Sequence, residues 1–110
     1  MPTTPGGVEI EEITLGKGGE ASLDSIVVVH YHGTLKSNGK VFDSTKGSRP
    51  IEFPLEDLIA GWQEGIPGMK IGGKRKLTIP WALAYGAAGA PPEIPPKADL
   101  VFEIELVGLK

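Results

Sequence analysis

The chain has 110 residues, 40% of them hydrophobic, with a formal charge of −3 and no cysteine. That length fits one domain with one modest core, the charge offers no bulk attraction to nucleic acid or anionic membrane, and the missing thiol excludes disulfides and thiolate chemistry. The opening "MPTTPGG" has neither a charged nor an apolar leader region, and no apolar run approaches the roughly 20 residues of a membrane helix; a cytoplasmic location is expected, with a mature or trimmed secreted, periplasmic or organellar form as the alternative, and the chain is expected to be a monomer.

Residues 1–7, rich in Pro, Thr and Gly, are expected to form a flexible lead-in to a single domain over 8–110. In "VEIEEITL" (8–15) Val8 and Ile10 alternate before the pattern slips to Ile13 and Leu15, which predicts a strand with a bulge between Ile10 and Ile13. A turn-rich loop follows. "IVVVHYHGTLK" (26–36) has the β-branched and aromatic content of a strand. The Asn-Gly of "SNG" (37–39) predicts a hairpin returning through "KVFDS".

"PLEDLIAGWQEGI" (54–66) is the only helical segment in the pattern, with Leu55, Leu58, Ile59, Trp62 and Ile66 on one face. Gly61 and Gly65 weaken it, so a short helix that begins late is expected. "KRKLTIP" (74–80) turns Leu77 and Ile79 inward, and its basic start reads as a solvated run on a sheet edge. "DLVFEIELVGLK" (99–110) places Leu100, Phe102, Ile104 and Leu106 on one face. About five strands and one helix, without βαβ rhythm, give an α+β class: an antiparallel sheet with one helix covering its apolar face.

Few residues suit covalent or metal chemistry. His30 and His32 share one face of their strand and Tyr31 takes the other, but no cysteine or neighbouring carboxylate completes a ligand set, so no metal is expected. No serine sits in a nucleophile elbow, and no glycine run forms a complete phosphate loop. The seven aromatics (two Trp, two Tyr, three Phe) remain. Trp62, Tyr31, Phe42, Phe102 and Tyr85 come from five separate segments, with Asp43 beside Phe42. They suit a core and a walled apolar pocket equally. "AYGAAGAPPEIPP" (84–96), with four prolines and only Glu93 charged, is too long and stiff for a plain connector.

The stretches "VVVHYHGTL", "VFDST", "LIAGWQEGIPGMKIGGKRKLTIP", "LAYGAAG" and "IPPKADLVFEIELV" together resemble the FKBP family of peptidyl-prolyl cis–trans isomerases, over residues 8 to 110. The resemblance implies a half-barrel of five to six antiparallel strands wrapped around one short helix. It implies a pocket with Trp62 as floor, Tyr31, Phe42 and Phe102 as walls, and Leu58 and Ile59 at the entrance. The Ile59 N–H would be offered to a ligand carbonyl. Asp43 and Tyr85 would supply polar contacts, and Ile94 would fold over a bound proline. Ile51 stands where many members carry a wall phenylalanine, and Ala90 and Glu93 also depart from the pattern. The implied activity needs no cofactor. The implied partners are proline-containing peptides, unfolded protein clients and macrolides such as tacrolimus or rapamycin. A non-catalytic proline-binding interaction module is the alternative.

Overall fold

The computed structural model describes residues 3–110. Six strands, β1 (Glu9–Thr14), β2 (Ile26–Leu35), β3 (Val41–Ser44), β4 (Ile51–Pro54), β5 (Lys74–Ile79) and β6 (Leu100–Leu109), form one antiparallel sheet. The path is β1-β5-β6-β2-β3, and β4 also pairs with β2. The free edge of β2 is shared: β4 takes Ile26–Val29 and β3 takes His32–Thr34. A 3-10 turn (Leu55–Asp57) leads into helix α1 (Ala60–Gly65), and a second (Trp81–Leu83) precedes the long loop.

The α+β class and the sheet around one short helix hold. Along β6, buried Leu100, Phe102, Ile104 and Leu106 alternate with more exposed neighbours, because successive side chains leave opposite faces of the pleat. Val27 and Val29 of β2, and Leu77 and Ile79 of β5, extend that face. Leu55, Trp62 and Ile66 pack onto it, and Leu58 and Ile59 lie partly buried beside them. The Asn-Gly turn closes β2 on β3: Gly39 has φ 73° and donates to the Leu35 carbonyl at 2.8 Å.

Four expectations change. The β1 bulge falls between Glu12 and Thr14. Ile13 and Leu15 are 45% and 77% exposed, because β1 is an outer strand and neither side chain reaches the core. β4 lay hidden between Pro50 and Pro54, residues that argue against a strand; it lies at the sheet edge, where proline is tolerated. The basic run is not on an edge, since β5 lies between β1 and β6. Its charges instead meet carboxylates across the ladder: Arg75 Nε is 2.5 Å from Glu12 Oε1, and Lys74 Nζ is 3.6 Å from Glu103. His30 and His32 are half-buried, with Nδ1 of each 2.9 Å from a hydroxyl, that of Thr45 and Ser44 respectively.

The expected lead-in begins with two residues outside the described ones. Thr3–Gly7 form a turn against α1, where the Thr4 hydroxyl and the Gly6 N–H both donate to Glu64. Gly61 and Gly65 weaken α1 as an isolated helix but serve its packing. A Cβ on Gly61 would stand 2.4 Å from Ile79 Cγ2, and one on Gly65 2.6 Å from Leu77 Cδ1. Gly61→Ala gains about 1 kcal/mol of helix propensity and incurs about 1–3 kcal/mol of overpacking. We expect a net loss of stability, read as a lower urea midpoint with an unchanged m-value; a higher midpoint would show that the helix can withdraw freely from β5.

Candidate functional site

A cavity of about 290 Å3 lies between β2, β3, β4, β6, α1 and the start of the long loop. The structure brings Tyr31, Phe42, Asp43, Leu58, Ile59, Trp62, Tyr85 and Phe102 together around it. Each arrives for a local reason. The pleat of β2 turns Tyr31 to the same face as Val27 and Val29, and the pleat of β6 does the same for Phe102. Phe42 and Asp43 follow the hairpin turn. Trp62 sits at the middle of α1, 4% exposed.

The walls meet edge to face. The Trp62 ring lies 5.3 Å from Tyr31 at 79° and 5.2 Å from Phe102 at 88°. Phe42 stands against Phe102 at 5.4 Å and 89°. Such pairs contribute about 0.5–1.5 kcal/mol each beyond their buried area, so the cavity is stiff before any ligand enters. The indole Nε1 is sealed from solvent with no nitrogen or oxygen partner.

Two predicted residues stand apart from this group. Ile51 lies opposite Val29 in the β2–β4 ladder, 37% exposed, and its side chain does not line the cavity. Ile94 is 5% exposed and packs into the core, held by mutual backbone hydrogen bonds with Ala90 at 2.9 and 3.1 Å; it anchors the loop rather than lining the cavity.

Sequence reasoning missed Phe53, which supplies the wall beside Trp62, 6.1 Å away at 88°. The period-2 pattern of "IEF" was the available signal, since it sets Phe53 on the face of Ile51, one step closer to the helix. Gly33 was also missed. A Cβ there would stand 2.6 Å from Phe42 Cζ and 2.9 Å from Phe102 Cε1, so only glycine lets both rings close over β2. A glycine inside a strand signals such an approach.

One carboxylate reaches the cavity. The Tyr31 hydroxyl donates to Asp43 Oδ2 at 2.6 Å. Burial, the hydrogen bond to Asp43 and the Asp43 charge push the Tyr31 phenol well above the ordinary tyrosine range. Burial and then the Asp43 charge raise Tyr85, which stays 41% exposed. A second groove, of about 270 Å3, lies around His30, His32, Lys74 and Glu103. The residues that line it are mostly histidine, lysine, glutamate and threonine. Among the described residues no three His, Asp or Glu side chains converge as a metal site, and no helix is long and apolar enough to cross a membrane.

Tyr31 and Tyr85 are the only two tyrosines, so phenolate absorbance reports this site alone. We expect neither to ionise at its ordinary value near 10, and denaturant to restore titration there. Because the folded values are raised, the stability linked to the neutral phenols is fully present below pH 10 and is lost as the pH rises through the folded values. Native-state phenolate half-formed at pH 10 would show that the Tyr31–Asp43 bond is absent in solution.

The FKBP-type peptidyl-prolyl cis-trans isomerase family model matches residues 18–107. The FK506-binding protein of Neisseria meningitidis is 49% identical over 105 residues, covering 93% of this chain and 95% of that protein. The 46 kDa FK506-binding nuclear protein of Spodoptera frugiperda is 48% identical over 107 residues; the match covers 96% of this chain, which spans only 26% of that relative's length. The crystal structure of a peptidyl-prolyl cis-trans isomerase from Pseudomonas syringae superposes with a TM-score of 0.91 at 38% identity, over 99% of this chain and 80% of that one. On that match, and on the shared fold, the chain belongs to the FKBP-type peptidyl-prolyl cis–trans isomerase family.

Proposed function

We propose that this domain accelerates cis–trans rotation about X–Pro bonds in peptides and in unfolded protein chains. One observation carries the reading: a small cavity floored by Trp62, walled by aromatic rings and reached by one carboxylate that a phenol already engages. Its volume is at the small end of ligand pockets, about 300 Å3, a size that suits a five-membered ring.

Rotation about a peptide bond faces a barrier of about 18–20 kcal/mol because the amide is resonance-stabilised. At the twisted transition state that resonance is gone and the carbonyl is less dipolar. Water solvates the planar, more polar ground state better. The aromatic walls remove water and with it that preference, and a rigid shape matched to the twisted form binds it selectively. The proline ring would sit on Trp62 between Tyr31, Phe42, Phe53 and Phe102. Leu58 and Ile59 flank the entrance, and the Ile59 N–H would take a substrate carbonyl. Asp43 and Tyr85 position polar groups at the rim. The substrate's own following N–H can hydrogen-bond the proline nitrogen as it becomes pyramidal. No proton need pass between enzyme and substrate.

The long loop supports this reading. Its prolines restrict φ, and the buried Ile94 pins it so that Tyr85 is held at the rim. Tacrolimus and rapamycin are proposed as ligands of the same cavity, and the domain as a cytoplasmic monomer. In a longer protein the same cavity would recruit proline-containing segments.

Exchange spectroscopy on an X–Pro peptide tests the activity. A rate no better than uncatalysed would leave a proline-binding module in its place. Asp43→Asn should keep most of the activity, and the pH–rate profile should be flat from about 5 to 9 because no group must ionise. Phe102→Leu should reduce kcat/KM about tenfold or less, about 1.4 kcal/mol. Abolished turnover in Asp43→Asn with the fold intact, together with a bell-shaped wild-type profile, would assign Asp43 to proton transfer.

A further inference from the structure

The peptide unit between Leu58 and Ile59 lies between the 3-10 turn and α1 and belongs to neither. Leu58 (φ −96°, ψ 171°) and Ile59 (φ −58°, ψ 152°) are both extended. The chain therefore leaves one helical path before joining the next, and both residues line the cavity. Among the described residues, no backbone carbonyl accepts from the Ile59 N–H.

The other end of that peptide unit is held. The Leu58 carbonyl accepts from Gln63 Nε2 at 2.8 Å, and the same nitrogen donates to the Glu56 carbonyl at 3.1 Å. A carboxamide has two N–H groups, enough for both. The Ile59 carbonyl accepts from the backbone N–H of Trp62 at 3.0 Å and of Gln63 at 3.2 Å. One turn of α1 thus grips the segment on both sides of the Ile59 N–H and carries the cavity floor as well. In a trans peptide unit the C=O and N–H are coplanar and opposed. Anchoring the Leu58 oxygen therefore sets the direction of the Ile59 N–H.

We propose that Gln63 is a positioning residue: its side chain locks the Leu58–Ile59 peptide plane so that the Ile59 N–H meets a substrate carbonyl beside the proline ring. The inference rests on the isomerase reading for its substrate. Gln63 need not touch substrate, and its effect passes through one peptide unit. A leucine there fills similar space without a donor. A glutamate presents a carboxylate to two carbonyls at neutral pH and regains one donor when protonated, around its ordinary value of about 4.3.

The test compares wild type, Gln63→Leu and Gln63→Glu on one X–Pro peptide. Gln63→Leu should raise KM about five- to twentyfold with kcat little changed. The Ile59 amide resonance should shift downfield when the peptide saturates wild type, and much less in Gln63→Leu. Gln63→Glu should regain kcat/KM as the pH falls from 7 toward 4.5, against a flat wild-type profile. A wild-type KM in Gln63→Leu, with the same Ile59 shift on saturation, would overturn the proposal. If Gln63→Leu fails to fold, a Gln63→Glu profile parallel to wild type would overturn it instead. An inactive wild type whose Ile59 amide still shifts in a Gln63-dependent way would sink the isomerase reading and keep the positioning role. An inactive wild type with no shift would sink both.

Discussion

The close approach of α1 to β5 is the constraint on which the site depends. Gly61 and Gly65 present bare backbone to Ile79 and Leu77, so the helix lies against the sheet where side chains would hold it off. That approach sets the depth of Trp62. Arg75 of β5 secures the far end, donating through Nη1 to the carbonyls of Gly65 at 2.9 Å and Pro67 at 3.1 Å, while its Nε meets Glu12 on β1. Helix-terminal carbonyls lack intrahelical partners. Arg75 satisfies one such group and ties helix, β5 and β1 together. A six-residue helix would be marginal alone; here tertiary contacts at both ends and along its glycine face fix it.

From that placement the chemistry follows. With Trp62 at fixed depth, Tyr31, Phe53 and Phe102 surround it edge-on, and Gly33 leaves room for Phe42 to close the wall. The phenols nearest Asp43 stay protonated far beyond neutral pH, so the one negative charge at the rim is met by a neutral donor. The groove around His30 and His32 has nearly the same volume but a lining of charged and imidazole groups. Size does not distinguish the two cavities. Their linings do: the first is walled mainly by aromatic and aliphatic side chains, and twisting an amide requires loss of solvation and a matched shape.

Much of this was legible in the sequence because it rested on local periodicity. Alternation in "LVFEIEL" located the buried face of β6, and the spacing from Leu55 to Ile66 located the inward face of the helix. The glycines that weakened the helix in isolation are the ones its packing needs, which periodicity alone does not reveal. Elsewhere the tertiary context decided. Pro50 and Pro54 concealed β4, and with it Phe53, because a proline-flanked strand survives only at an edge. The Lys-Arg-Lys run has the composition of an edge strand but lies inside the sheet, where Glu12 and Glu103 balance it. Ile13 and Leu15 continue an apolar pattern past a bulge onto a surface that nothing covers. Resemblance to the family assembled most of the cavity residues; it did not foresee that Ile51 would fall short of the cavity or that Ile94 would be an anchor.

The central claim is that an apolar, preformed cavity lowers the barrier to amide rotation without moving a proton. The solvent deuterium isotope effect on kcat/KM for an X–Pro peptide tests it most directly, since proton transfer in the rate-limiting step slows in D2O and rotation about a C–N bond does not. The account predicts a ratio close to one, the same in wild type and in Asp43→Asn. A ratio well above one in wild type, falling toward one in Asp43→Asn, would contradict it.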